Sequence, residues 1–131
     1  VIPGLAIAID VTHATDTPGI SKTKCGDVKL GEGPSINIGA TSNHKLNEII
    51  KKVAEENEIA LQTEARPNRS GTDADRIFKA QGGIPCANIS VPNRYMHTPV
   101  EMVHLHDLED VVDLLVAVAQ EIDNSTYYFG I

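Results

Sequence analysis

The sequence predicts an α/β domain in which helices cover a sheet. Three observations lead to this prediction: short apolar runs of strand length, amphipathic patterns at helical spacing, and the alternation of the two along the chain. A chain of 131 residues is long enough for one domain with its own core. We therefore expect a three-layer α/β/α sandwich with a largely parallel sheet and no second domain.

The apolar runs predict the strands. Residues 5–9 form an uninterrupted apolar run that ends at Asp10, which is typical of a strand covered on both faces. Four further strands are predicted at 27–30, 35–38, 59–64 and 86–91. The first two of these alternate polar and apolar residues, so each should expose one face, and the last should end at Pro92.

Three stretches have helical periodicity. The first begins at Asn43, whose side chain is of a type that caps helices. The second covers residues 72–81 and should end at Gly82-Gly83. The third has the clearest apolar stripe, formed by Leu108, Val111, Val112, Leu115, Val118, Ala119 and Ile122.

The extent of the chain is itself informative. It opens at Val1 rather than at methionine, and a strand pattern begins almost at once. We therefore expect a piece of a longer polypeptide. Because residues 124–131 follow the last helical pattern, we expect residues 1–123 to form the domain part and 124–131 a C-terminal tail.

Acidic residues outnumber basic ones, with 18 Asp+Glu against 11 Lys+Arg and a net charge of −7. Nucleic acid and anionic membranes are therefore not expected partners, since no basic cluster is present. The apolar runs are far shorter than the roughly 20 residues of a membrane span, and no signal-peptide pattern opens the chain. Cys25 and Cys86 lack the spacing of a redox or zinc motif. We expect a cytoplasmic protein with reduced cysteines.

Polar residues follow two of the predicted strands. Asp10 ends the first, with His13 and Asp16 in the next loop, and His97 follows the last. Ligands of open α/β sheets bind at the carboxyl ends of the strands, so Asp10 and His97 are expected to meet. A carboxylate and an imidazole are ordinary metal ligands, but an ion needs three or four donors. The spacing alone leaves a second interpretation open, in which Asp10 caps a loop and His97 is merely hydrogen-bonded.

Thr72 and Asp73 open the second predicted helix, and either side chain would cap it. The start of this helix also faces the same rim of the sheet. Asp73 is therefore a candidate to orient a metal ligand or a substrate ammonium group. Asp16 either accepts a hydrogen bond across the loop from Asp10 or braces the Pro18-Gly19 turn.

The remaining motifs give weaker evidence of function. His104 and His106 are expected to be solvated, next to the acidic first turn of the last helix. Gly31-Glu32-Gly33 lacks the spacing of a phosphate-binding loop, and Ser90 has no nucleophile-elbow motif around it. Phosphoryl transfer and serine hydrolysis are thus not expected.

Three motifs occur in a fixed order: residues 8–19 (AIDVTHATDTPG), residues 71–74 (GTDA) and residues 94–101 (RYMHTPVE). Together they closely resemble the C-terminal part of the M42 metallo-aminopeptidases, a family that includes tetrahedral aminopeptidases, glutamyl aminopeptidases and proteins labelled endoglucanase M or cellulase. The resemblance extends from about residue 5 to residue 122.

The resemblance implies part of a zinc-peptidase-type α/β/α catalytic domain with two divalent ions, usually zinc or cobalt. By motif, Asp10 binds one ion and His97 the other, while Asp73, Thr72 and Asp16 contact the ligands or the substrate. Such ions, about 3.5–4 Å apart, bind the peptide carbonyl and a bridging hydroxide. The family's remaining ligands and its general-base glutamate belong to motifs that this sequence does not contain. We therefore expect this chain to be inactive alone.

The resemblance also implies peptide substrates and, for the intact protein, homo-oligomers from dimers to dodecamers. Two alternatives stay open. A glycoside hydrolase needs two carboxylic acids about 5–10 Å apart, for which Asp10 with Asp73 or Glu101 are candidates, although His97 has no place in that mechanism. A non-catalytic assembly or regulatory remnant would keep the sheet and an oligomer surface.

Overall fold

A mixed sheet forms the centre of the computed structural model, which describes residues 3–123. Its strands are β1 (Ala6–His13), β2 (Ser35–Ile38), β3 (Gln62–Ala65), β4 (Cys86–Arg94) and β5 (Met102–Val103). The strand order is β1-β4-β2-β3, and β5 also pairs with β4. β1 is parallel to β4 and β2 to β3, whereas β4 is antiparallel to β2 and β5. The α/β fold is confirmed, but the sheet is mixed rather than largely parallel.

The helices are distributed unequally over the two faces of the sheet. They are α1 (Lys22–Cys25), α2 (His44–Glu56), α3 (Ala74–Ile77) and α4 (Leu105–Glu121), with a 3₁₀ turn at Ala80–Gly82. α2 and α4 pack together over one face, and the short α3 lies against β1 and β4 on the other. No helix among residues 3–123 is long and apolar enough to cross a membrane. The predicted tail, 124–131, lies outside the described residues.

β1 differs from its prediction in length and burial. It continues to His13, because the β-branched Val11 and Thr12 extend the strand beyond the apolar run. Within the described residues it lies at the edge of the sheet, and Ile9 is 57% exposed. The prediction of a strand covered on both faces is therefore wrong, and Asp10 lies within the strand rather than at its end.

Residues 27–30 do not form the predicted strand, because side chains satisfy their backbone groups. The Val28 N–H donates to Thr15 Oγ1 at 2.9 Å, and the Val28 carbonyl accepts from the Thr15 N–H. The Gln62 amide bonds both backbone groups of Lys29, each at 2.9 Å. This segment is therefore anchored to the sheet without joining it.

One predicted strand and one predicted helix end at different residues in the structure. β4 runs through Pro92, which lies between the pairing with β2, ending at Ser90, and that with β5, starting at Asn93. Its missing N–H is therefore tolerated there. The predicted helix 72–81 is instead the four-residue α3 followed by a separate 3₁₀ turn, within which Gln81 has a non-helical φ of 55°.

The main core lies between the sheet and the pair of long helices. The predicted cap of α2 is confirmed, since the Asn43 side chain accepts from the Leu46 N–H at 2.9 Å. The apolar stripe of α4 is rotated from its prediction: Leu108 and Val112 are exposed. The buried residues of α4 are Asp107, Val111, Leu114 and Val118.

A buried carboxylate explains this rotation. Asp107 is fully buried, and its two oxygens accept separate hydrogen bonds from the N–H groups of Gly31 and Gly33, each at 2.9 Å. Gly33 is required here, because its φ is +83° and a Cβ would lie 2.4 Å from the Ala60 carbonyl oxygen. Asp107 thus ties the start of α4 to the turn that leads into β2.

We predict that Asp107→Asn lowers the free energy of unfolding by about 1–3 kcal/mol, because an amide has one acceptor oxygen for two N–H donors, of which that of Gly33 is buried. Urea unfolding measures the change. Asp113→Asn, on an exposed position of the same helix, should change stability by less than about 0.5 kcal/mol. Equal stability of Asp107→Asn and the wild type would contradict the assignment of this clamp.

Candidate metal centre

Strand register determines which face of the sheet Asp10 occupies. Asp10 pairs with Ser90, and Ser90 with Ser35, so these three side chains form one row across β1, β4 and β2. The neighbouring row contains Ile89 and Ile36, which belong to the core under α2 and α4. Because side chains alternate along a strand, Asp10 lies on the opposite face, away from the long helices.

Around Asp10 this second face is polar, whereas a small apolar cluster lies further along it under α3. The central side chains of the polar part, Thr12, Asn37, Glu64 and Ser90, are all buried, and they border a cleft of about 280 Å³. Buried side-chain oxygens of Asn37 and Ser35 have no hydrogen-bond partner among the described residues. Because such groups destabilise a fold, a buried polar face of this kind is typical of a ligand site rather than of a core.

Asp10 and His97 both line this cleft, together with His13. The Val11 N–H donates to Asp10 Oδ1 at 2.8 Å, and the His13 and His97 rings meet edge to face with centroids 6.4 Å apart. The structure thus brings together the two residues that the motifs single out, although Asp10 reaches the cleft from within its strand. Their role as ligands stays a prediction.

The donor chemistry fits zinc or cobalt, which accept carboxylate and imidazole ligands. The number of donors does not suffice for a closed site: residues 3–123 contain no group of three or more His, Cys, Asp or Glu placed to hold a metal. The described residues therefore form no closed metal site by themselves, and Asp10 and His97 are the candidate donors in the cleft.

Glu64 is the buried charge of the cleft, and the sequence analysis missed it. Both carboxylate oxygens accept from the Thr12 hydroxyl, at 3.0 and 2.8 Å, and Arg66 forms an ion pair with Oε1 at 2.6 Å. Its signal in the sequence is weak, because Thr12 is 52 residues away. The ion pair and hydroxyl keep a charged group in place beside the candidate ligands.

Among the described residues, the Asp16 carboxylate forms no hydrogen bond with Asp10 or with the Pro18-Gly19 turn, so neither predicted bond is observed. Its carboxylate instead forms two hydrogen bonds with Arg94, from Nε at 3.1 Å and from Nη2 at 2.7 Å. Hydrogen bonding from Arg94 holds the pKa of Asp16 below its usual range. Asp16 therefore anchors the end of β4, three residues before His97.

Thr72 and Asp73 both lie close to the part of the sheet that carries Asp10. Thr72 lines the cleft, and its Oγ1 accepts from the Ala74 N–H at 3.3 Å. Asp73 makes no capping bond and borders a second groove of about 330 Å³ that Asp10 also lines. Asp73 is thus an exposed carboxylate beside a candidate ligand.

The loop before α3 is held by Asp75, another residue that the sequence analysis missed. Its carboxylate accepts from the N–H groups of Ser70 and Gly71 and from the Ser70 hydroxyl. Burial alone would raise its pKa, but these hydrogen bonds and nearby Arg69 outweigh burial and leave the pKa of Asp75 below its usual range. Asp75 therefore fixes the loop that carries Thr72.

His104 and His106 are exposed, as predicted. The His104 ring accepts from the His106 N–H at 3.2 Å and so caps α4. The carboxylate of Glu109 raises the pKa of His106. Both rings therefore have local roles at the start of the helix.

Comparison with known proteins identifies the family. Residues 1–114 match the family model of the M42 glutamyl aminopeptidases. The chain belongs to this family. The resemblance deduced from the three motifs is thereby confirmed.

Among M42 relatives, the lysyl aminopeptidase of Pyrococcus furiosus is 35% identical over 120 residues, covering 92% of this chain and 34% of that protein. The TET aminopeptidase of a marine sediment archaeon (Thaumarchaeota archaeon) superposes with a TM-score of 0.85 at 30% identity, covering 93% of this chain and 34% of that one. The TET1 peptidase of Pyrococcus horikoshii can assemble into a tetrahedron or a large octahedral shell. It superposes with a TM-score of 0.68 at 32% sequence identity, covering 89% of this chain and 34% of that one. This chain spans about a third of the length of the relatives it matches.

The lowered pKa values predict how stability depends on pH. Because the folded-state pKa of Asp16 and Asp75 lies below the unfolded value of about 4, their stabilisation is complete above that pH and is lost as the pH falls through the folded values. We predict that the double variant Asp16→Asn/Asp75→Asn loses less free energy of unfolding than the wild type when the pH falls from 6 to 3. Urea unfolding at each pH measures this loss. Asp113→Asn should keep the wild-type loss. Equal losses in the double variant would refute this assignment.

Proposed function

We propose that this chain is the C-terminal segment of a dinuclear metal-dependent aminopeptidase that removes N-terminal residues from peptides. Its membership of the M42 family supports this proposal. The observation that carries it is the presence of Asp10 and His97 on one cleft, although the two are 87 positions apart in the sequence. A half-buried carboxylate and an exposed imidazole at the rim of a buried polar face are donors of the type that such a centre requires.

The chain's own residues have separate tasks in this proposal. Asp10 and His97 each bind one divalent ion, zinc or cobalt. Bound ions of this kind polarise a peptide carbonyl and activate water at neutral pH. Asp73, on the adjoining groove, attracts the ammonium group of the substrate, and Thr72 shapes the boundary between groove and cleft. Asp16 acts at a distance, by holding Arg94 and thus the end of β4.

The isolated chain should be inactive in this proposal. Two donors on separate ions hold metal weakly, and a site of this class also needs a general base to shuttle the proton. Both the further ligands and that base belong to the rest of the intact protein. We propose that this intact protein is a homo-oligomer, as its relative from Pyrococcus horikoshii is.

A glycoside hydrolase is the second candidate, because Asp10 and Asp73 line a common groove and so offer a pair of carboxyl groups. A two-carboxylate glycosidase mechanism gives the His97 imidazole no role. The two candidates differ in their response to a chelator: an aminopeptidase of this class loses activity and regains it with zinc or cobalt, whereas a two-carboxylate glycosidase is unaffected.

A chimaera tests the proposed function. This chain replaces the matched 120 residues of the Pyrococcus furiosus lysyl aminopeptidase. We predict that the chimaera releases N-terminal residues from peptides, that a chelator abolishes this activity, and that Asp10→Asn or His97→Ala lowers kcat/KM by at least about 100-fold, the scale of losing a group that stabilises the transition state.

The matched control is His104→Ala, which removes an exposed imidazole outside the cleft and should leave kcat/KM within about twofold. The isolated chain, assayed in parallel with added zinc, should show no turnover. A folded chimaera that keeps full activity after both Asp10→Asn and His97→Ala would exclude the proposed roles.

A further inference from the structure

The turn that carries His97 has an unusual backbone. Between β4 and β5, Tyr95 has a φ of 59° and His97 a φ of 65°, both in the left-handed region that residues other than glycine rarely adopt. Such a conformation persists only where neighbouring contacts impose it, and it occurs preferentially at functional sites. The contacts of this turn therefore indicate what determines the position of His97.

Two sets of hydrogen bonds hold the turn. The Tyr95 carbonyl accepts from the Thr98 hydroxyl at 2.6 Å and from the Thr98 N–H at 3.2 Å, which closes the turn around Met96. The His97 N–H donates to Glu101 Oε1 at 2.5 Å. Thr98 therefore bonds the backbone of Tyr95, and Glu101 is the side chain that bonds the backbone of His97.

We propose that Glu101 is a positioning residue for His97. By accepting the His97 N–H, its carboxylate stabilises the left-handed backbone at this residue and so fixes the direction in which the imidazole enters the cleft. The importance of that direction for metal binding rests on the proposed function. The orientation itself is a property of this turn, so it is tested separately.

The chemistry of the bond favours this role over a general contribution to stability. A charged acceptor makes a shorter and stronger hydrogen bond with an N–H group than a neutral one does. Glu101 is exposed and lies outside both apolar cores, so its removal deprives the core of no packing. Its effect should therefore be confined to the turn.

Nuclear magnetic resonance of the 131-residue chain, labelled with ¹⁵N and ¹³C, tests the proposal on four proteins: the wild type, Glu101→Ala, Glu101→Gln and Glu109→Ala. Glu109 is the matched control, since it is an exposed glutamate that bonds a histidine ring rather than a strained backbone. The readouts are the order parameter of the His97 amide, the nuclear Overhauser contact between the His13 and His97 rings, and the thermal midpoint.

We expect the His97 order parameter to fall from about 0.85 to below about 0.6 in Glu101→Ala, with loss of the His13–His97 contact. Glu101→Gln should restore both, because its amide oxygen accepts the same N–H. Glu109→Ala should match the wild type at His97. The thermal midpoint of every variant should stay within about 4 °C of the wild type.

Three results would overturn the proposal: an unchanged His97 in Glu101→Ala, a failure of Glu101→Gln to restore order, or a general loss of stability that accounts for the effect. A zinc titration of the wild type separates this proposal from the proposed function. If millimolar zinc, a concentration that compensates for the missing ligands, leaves the His97 resonances unmoved, the metal role of His97 loses its support, while the order parameters still decide whether Glu101 positions His97.

Discussion

The parallel pairing of β1 with β4, in the register that sets Asp10 opposite Ser90, is the constraint on which the site depends. Side chains alternate along a strand, so a shift of one residue would turn Asp10 toward the long helices and carry Ile9 onto the polar face. The same register places Thr12 two residues further along that face, where it bonds Glu64. One strand pair therefore specifies both a candidate ligand and the floor of its cleft.

The two faces of this sheet are built for different purposes. Under α2 and α4 the face is apolar and contributes the core. The other face buries hydroxyl, amide and carboxylate groups, some of them without partners, which costs stability. Carboxylate anchors elsewhere compensate for this cost: Asp107 ties α4 to the turn before β2, and Asp16 holds Arg94. The candidate site is thus supported by ion pairs and hydrogen bonds more than by packing.

Local signals predicted the fold class, the cap of α2 and the placement of Asp10 and His97 beside one cleft. What they missed depends on contacts between distant residues: Asp107 bonds a glycine 76 residues away, and Asp16 bonds Arg94 across 78. A chain with 18 acidic residues gives no local sign of which carboxylates become buried. The predicted buried face of α4 was wrong for a related reason. Apolar residues occupy more than one side of this helix, and the side that faces the core is the one that also buries Asp107.

Zinc-edge anomalous diffraction from crystals of this chain grown with millimolar zinc tests the central claim most directly. High metal concentration compensates for an incomplete ligand set, so weak sites are occupied. The account predicts zinc peaks about 2.0–2.2 Å from a carboxylate oxygen of Asp10 and from a ring nitrogen of His97. Zinc bound only elsewhere, for example at His104 and His106, with neither Asp10 nor His97 in contact with an ion, would contradict it.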